Sequence, residues 1–122
     1  MRTKLLFICS RNQWRSPTAE ALFKGSQRYE ARSAGTSPKA RVRVTQSHIR
    51  WADQIFVMER KHLQRLRELF ANSLSDTPIT ILDIPDDFQF MDAELVDLVH
   101  LRLAHLLPAP FDPQLDLQPS AP

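Results

Sequence analysis

The sequence predicts an α/β fold: a three-layer sandwich with a four-stranded parallel sheet, Rossmann-like in its order. Two observations carry this. Apolar runs of strand length alternate with segments of helical periodicity along the chain, giving β-α-β-α-β-α-β-α. The first run, Leu-Leu-Phe-Ile, has no polar alternation, as expected of a strand buried on both faces of a parallel sheet. Right-handed crossovers then place the helices on the two faces.

Residues 4–9 form the first strand and end on Cys9. A polar loop follows. Ser16 and Pro17 open a helix, the serine as cap and the proline at the first helical position, where its missing N–H costs nothing. Ala19, Leu22 and Phe23 give helical spacing, and Gly25 and Ser26 can stop it. Residues 30–34 read as a second strand ended by Gly35, 37–43 as a basic loop, and 45–51 as a short helix. The clearest strand spans 54–58. Residues 60–72 form an amphipathic helix with Leu63, Leu66, Leu69 and Phe70 on one face. Residues 78–82, rich in β-branched side chains, make the fourth strand, and 83–90 a loop. A final helix over 92–107 carries a broad apolar stripe of Leu95, Leu98, Val99, Leu101, Leu103 and Leu106.

The 122 residues make one domain, over 1–107. Five prolines in the tail, 108–122, predict irregular structure there. A net charge of +2 does not argue for nucleic acid without a clustered basic face. The single cysteine permits no internal disulfide and fits a reducing compartment. The first apolar run is too short for a signal peptide, and no stretch approaches the ~20 residues of a membrane span, so a cytoplasmic location and no membrane partner are expected. His48, His62, His100 and His105 are scattered without metal-ligand spacing and read as surface or capping residues. No metal or cofactor is expected. The basic run from Lys39 to Arg43 lacks interleaved aromatics; it reads as a solvated loop that can also attract an anion at the edge of the sheet.

Ligands of such folds bind beyond the carboxyl ends of the strands. Cys9 stands at the end of the first strand and Asp86 just beyond the fourth, on the same edge. The loop Cys9-Ser10-Arg11-Asn12-Gln13-Trp14-Arg15-Ser16 runs from strand into helix. Such a loop offers converging N–H groups and the positive end of a helix dipole to a phosphate. Arg15 can hold two phosphate oxygens at once. The same charges favour a thiolate at Cys9, able to attack phosphorus and form a phosphocysteine. Ser16 can donate a hydrogen bond to the sulfur. With arginine at 12 of 122 positions, the bare spacing of Cys9 and Arg15 arises by chance roughly one time in ten. A buried apolar role for Cys9 and a solvated role for Arg15 are the plain alternatives. A cation at a helix start opposes the macrodipole, however, and an anionic ligand resolves that conflict.

The residues from Leu5 to Cys9, then Asn12, then Arg15-Ser16-Pro17-Thr18-Ala19-Glu20-Ala21, resemble the low-molecular-weight protein tyrosine phosphatases. Ser33-Ala34-Gly35-Thr36 resembles that family's second-strand motif, the run from Ala52 to Met58 its third strand, and Ile84-Pro85-Asp86-Asp87-Phe88 its acidic loop. The resemblance implies metal-independent phosphate monoester hydrolysis. It maps Cys9 onto the nucleophile, Arg15 onto the phosphate-binding arginine, Ser16 onto the supporting hydroxyl, Asn12 onto the asparagine that shapes the loop, and Asp86 onto the general acid. Ser10, Arg11, Asn12, Gln13, Trp14, Arg15 and Ser16 then form the phosphate-binding loop. The implied partner is a phosphorylated protein or a small aryl phosphate, with phosphate- or sulfate-like anions as ligands.

Several residues depart from the pattern. Arg11 replaces a usual glycine, and Trp14 a second cysteine that can trap the nucleophile as a disulfide. The segment from Thr36 to Asp53, which carries an aromatic pocket wall in typical members, is short. Trp51 reads as core. The acidic loop has Asp86-Asp87 in place of Asp-Pro, which leaves Asp87 as an alternative acid, and Phe88 or Phe90 in place of tyrosines. Two other functions stay open at this level: a non-catalytic phosphate- or phosphoprotein-binding module, and an arsenate reductase using an external thiol.

Overall fold

The structure is a computed structural model that describes residues 2–74 and 76–107. The proline-rich tail, 108–122, lies outside the described residues. Strand β1 (Thr3–Cys9) occupies the interior, as its unbroken apolar run requires. It is followed by α1 (Arg15–Ala21), β2 (Tyr29–Gly35), α2 (Gln46–Trp51), β3 (Gln54–Val57), α3 (Arg60–Phe70), β4 (Ile79–Ile81) and α4 (Ala93–Ala104). The four strands form one parallel sheet in the order β2-β1-β3-β4. The predicted fold class is the one observed.

Strand alternation divides the core in two. Leu5, Phe7 and Cys9 point to the face covered by α1 and α4, where they meet Ala19, Leu22, Phe23, Leu95, Val99 and Leu103. Leu6 and Ile8 point to the face covered by α2 and α3, against Ile49, Leu63 and Leu66. Phe7 stacks between Phe23 and Phe56, with ring centroids 5.8 and 5.4 Å away. Each fully buried side chain of this size contributes on the order of 1.5–3 kcal/mol, so the strand that carries Cys9 is among the best-anchored segments.

Three details differ from the sequence reading. Ser16 does not cap α1. The helix begins at Arg15, its cap position is Trp14, and the Ser16 hydroxyl is used elsewhere. The broad stripe on α4 narrows to Leu95, Val99 and Leu103, with Leu107 beyond, at a spacing of four; Leu101 and Leu106 are exposed. A helix lying on one sheet buries one face only, so leucines off that face stay in water. The predicted end of α3 is a 3₁₀ turn at Ala71–Ser73. The capping role foreseen for histidines holds for two of them. His48 accepts the Thr45 N–H at α2, and His62 the Glu59 N–H at α3. His62, however, is buried at 1% exposure and is not a surface residue. Trp51 packs half-buried against the α2–α3 core, with the Arg32 guanidinium 4.3 Å from its ring centre. No helix among the described residues is long and apolar enough to cross a membrane.

Candidate active site

The loop after β1 is held from outside by its carbonyls. Thr36 N–H donates to Cys9 O (3.0 Å), Ser37 N–H to Ser10 O (2.9 Å) and Arg41 N–H to Arg11 O (3.0 Å). The Arg41 Nε–H donates to Asn12 O at 3.1 Å. In a planar trans peptide the N–H points opposite the preceding C=O. Four carbonyls turned outward therefore turn the N–H groups of Ser10, Arg11, Asn12 and Gln13 inward. The Asn12 N–H shows this directly by donating to Cys9 Sγ at 3.3 Å. The basic segment, read from sequence as a solvated loop, supplies this outer scaffold through Arg41.

Two backbone positions permit the turn. Asn12 has φ +56°, a left-handed conformation that asparagine tolerates. Gly35, at the end of β2, lies so near the loop that a Cβ there would sit 2.5 Å from Ser10 O and 2.7 Å from Ala40 Cβ. No other residue fits without displacing the loop.

Behind the loop runs a hydrogen-bond chain whose direction can be derived. Glu20, as a carboxylate, only accepts, so the Ser33 hydroxyl donates to Glu20 Oε1. Ser33 Oγ then accepts from Asn12 Nδ2 at 2.8 Å. The same amide nitrogen donates its other hydrogen to Ser16 Oγ at 2.9 Å. That leaves the Ser16 proton for Cys9 Sγ, 3.0 Å away. The sulfur is thus an acceptor for both Ser16 O–H and Asn12 N–H. Asn12 Oδ1 is buried without a hydrogen-bond partner among the described residues, so the amide is held by its donors alone.

Arg15 is 2% exposed. Its Nη1 donates to the Glu59 carboxylate and to Ile84 O (2.9 Å), and Asp86 Oδ1 lies 3.6 Å from its Nε. Burial pushes the Glu59 carboxyl up, but the hydrogen bond and charge of Arg15, with Lys61 and His62, outweigh this and hold it below the usual range. His62 Nε2 lies 2.8 Å from Ser10 Oγ. Burial, then the nearby Arg15, lower its pKa to about 4, against the opposing pull of Glu59.

Cys9, Ser10, Arg11, Gln13, Trp14, Arg15 and Asp86 line one pocket of about 210 Å³. Two carboxylates were open as the acid; Asp86 lines this pocket, and Asp87 is not among its lining residues. Asn12 and Ser16 stand behind it, fully buried. Trp14, 41% exposed, is the one aromatic side chain in the lining. Phe88 packs against the core, whereas Phe90 is exposed and lines a neighbouring cavity. Among the described residues no group of three or more His, Cys, Asp or Glu side chains is placed to hold a metal ion.

Residues 4–49 match the family model of the low molecular weight phosphotyrosine protein phosphatases. The matched stretch runs from β1 through the loop Cys9–Ser16 into α2. No curated protein matches the sequence. Solved structures share the fold at low identity. The YwlE arginine phosphatase of Geobacillus stearothermophilus is 24% identical, over 84% of this chain and 91% of that one, with a TM-score of 0.66. The low molecular weight protein tyrosine phosphatase SP-PTP of Streptococcus pyogenes is 20% identical, over 88% and 95%, with a TM-score of 0.69. The tyrosine phosphatase Wzb of Escherichia coli K30, solved in complex with phosphate, is 19% identical, over 86% and 96%, also at 0.69.

The sequence reading missed Glu20, Ser33, Arg41, Glu59 and His62 as parts of the site. Glu20 and Ser33 stood inside quoted motifs, but no role followed from their spacing. His62, three residues after Glu59 at a helix start, has the separation of a capping box, the one signal that singled it out.

Proposed function

We propose that the chain hydrolyses phosphate monoesters, with phosphotyrosine in protein as the favoured substrate, through a phosphocysteine on Cys9 and without a metal. The observation that carries this reading is the sulfur's environment: two donors, Ser16 O–H and Asn12 N–H, converge on Cys9 Sγ inside a pocket shared with Arg15 and Asp86. Two donors aimed at the sulfur help it to leave when the P–S bond breaks.

The phosphoryl oxygens take the inward N–H groups of the loop. Because Arg15 Nη1 is committed to Glu59 and Ile84 O, its Nε and Nη2 present the bidentate edge to the anion. The dianion displaces Asp86 from Nε and leaves that carboxyl beside the departing oxygen. Cys9 Sγ attacks phosphorus, the ester P–O bond breaks, and protonated Asp86 gives its proton to the leaving alkoxide. Asp86, now a carboxylate, takes a proton from water as that water attacks the phosphocysteine. The P–S bond breaks, the thiolate returns to its two donors, and inorganic phosphate departs. α1 has only seven residues, so the cradle rests on the loop N–H groups and Arg15 more than on a helix dipole.

The test is hydrolysis of p-nitrophenyl phosphate. Cys9→Ser is expected to abolish turnover, and Asp86→Asn to lower kcat by a factor on the order of 10²–10⁴, the usual range for a general acid. Asp87→Asn is expected to have little effect. Full activity in Cys9→Ser refutes the mechanism, and the reverse pattern at 86 and 87 reassigns the acid. Structural neighbours include arginine phosphatases as well as tyrosine phosphatases. Parallel turnover of phosphotyrosine and phosphoarginine peptides decides between P–O and P–N substrates.

A further inference from the structure

We infer that the Ser10 hydroxyl, oriented by His62, is a side-chain hydrogen-bond donor to the phosphoryl group; this rests on the phosphate-loop reading above. The donors assigned to the anion above are the loop N–H groups and Arg15; Ser10 adds a side-chain hydroxyl from the same pocket wall.

Proton bookkeeping leads to it. His62 Nδ1 accepts the Glu59 N–H at 3.0 Å, so that nitrogen carries no proton. A neutral ring then carries its proton on Nε2, which faces Ser10 Oγ at 2.8 Å and must donate. Having accepted from His62, the Ser10 oxygen still holds its own hydrogen. The structure gives Ser10 Oγ no other hydrogen-bond partner among the described residues, and Ser10 lines the pocket with Cys9 and Arg15. The free O–H therefore has the pocket as its outlet. The charged groups around His62 are Arg15, Glu59 and Lys61, and the buried ring stays neutral down to about pH 4. The tautomer that orients Ser10 thus persists across the range in which such an enzyme works. His62 itself is a positioning residue: it reaches the anion only through Ser10.

Two measurements on the full chain test this: affinity for inorganic phosphate by calorimetry, and kcat and KM for p-nitrophenyl phosphate. Ser10→Ala is expected to weaken phosphate binding about tenfold, the lower value for a hydrogen bond to a charged group. Ser10→Thr keeps a hydroxyl and is expected to retain most of the affinity. His62→Asn can still accept the Glu59 N–H but is too short to reach Ser10. It is expected to weaken phosphate binding several-fold alone and to add nothing in the Ser10→Ala background. Wild-type affinity in Ser10→Ala overturns the inference, and so does a His62→Asn loss that adds in full to that of Ser10→Ala. Should His62→Asn fail to fold, the alanine and threonine variants at Ser10 decide alone. Phosphate binding needs no turnover, so a failed phosphocysteine mechanism leaves this test intact. A wild-type chain that binds no phosphate removes the phosphate-loop reading and this inference together.

Discussion

Asn12 bears strain and connectivity at once, and the two can be separated by substitution. Its φ of +56° disfavours any residue with an ordinary Cβ. Its amide nitrogen joins Ser33 to Ser16 at 2.8 and 2.9 Å. In Asn12→Ala two buried hydrogen bonds are lost, at about 0.5–1.5 kcal/mol each. Holding alanine in the left-handed region costs about 1 kcal/mol more. Removing Oδ1, buried without a partner, returns roughly 1 kcal/mol of desolvation. The expected net loss is about 1–3 kcal/mol. Asn12→Gly loses the same hydrogen bonds but not the left-handed penalty, so it should be about 1 kcal/mol more stable than the alanine variant. Both variants release Ser16 from its orienting donor, and kcat should fall at least tenfold in each, since ~1.4 kcal/mol in the barrier is a factor of ten. Equilibrium urea unfolding gives the stabilities, and p-nitrophenyl phosphate turnover gives the rates. A glycine variant no more stable than alanine refutes the strain argument. Undiminished kcat in both variants refutes the derived direction of the Glu20–Ser33–Asn12–Ser16–Cys9 chain.

Two further outcomes follow from packing and protonation. Gly35→Ala places a Cβ 2.5 Å from a backbone carbonyl; the loop must shift, with a stability loss of about 1–3 kcal/mol and weakened phosphate affinity, read by thermal unfolding and calorimetry. Ordinary phosphate affinity in that variant contradicts the close-approach argument. His62 has its folded pKa depressed from 6.5 to about 4, so the unfolded chain binds the extra proton first as pH falls. Its contribution is complete above about pH 6.5 and is lost progressively down to about pH 4. At ~1.4 kcal/mol per pH unit this amounts to roughly 3 kcal/mol. Urea midpoints between pH 7 and 4 should show that slope in the wild type and a shallower one in His62→Asn; parallel slopes would exclude His62 as their source.

The elements were legible because their signals are local. A continuous apolar run in β1, a proline at the third residue of α1 and helical spacing in α3 each lie within a single element. Cys9, Arg15 and Ser16 were legible because the loop is contiguous in sequence. What stayed hidden depends on contacts between segments far apart along the chain. Ser33 meets Asn12 from twenty-one residues away, His62 meets Ser10 from fifty-two, and Arg15 reaches Glu59 across forty-four. No periodicity announces such pairs. The Ser16 cap was misread for the same reason: its hydroxyl had a better partner, a sulfur seven residues earlier. On α4 the composition of the stripe was visible, but which leucines face the sheet depends on how the helix lies against it.

The alternation along β1 also acts as a proofreading device. Leu5, Phe7 and Cys9 share one face of the sheet, Leu6 and Ile8 the other. Shifting the register of β1 by one residue would swing the thiol to the wrong side, and the same slip would drag Leu5 and Phe7 out of their core. Misplacing the thiol along this strand is therefore a folding defect as well as a chemical one.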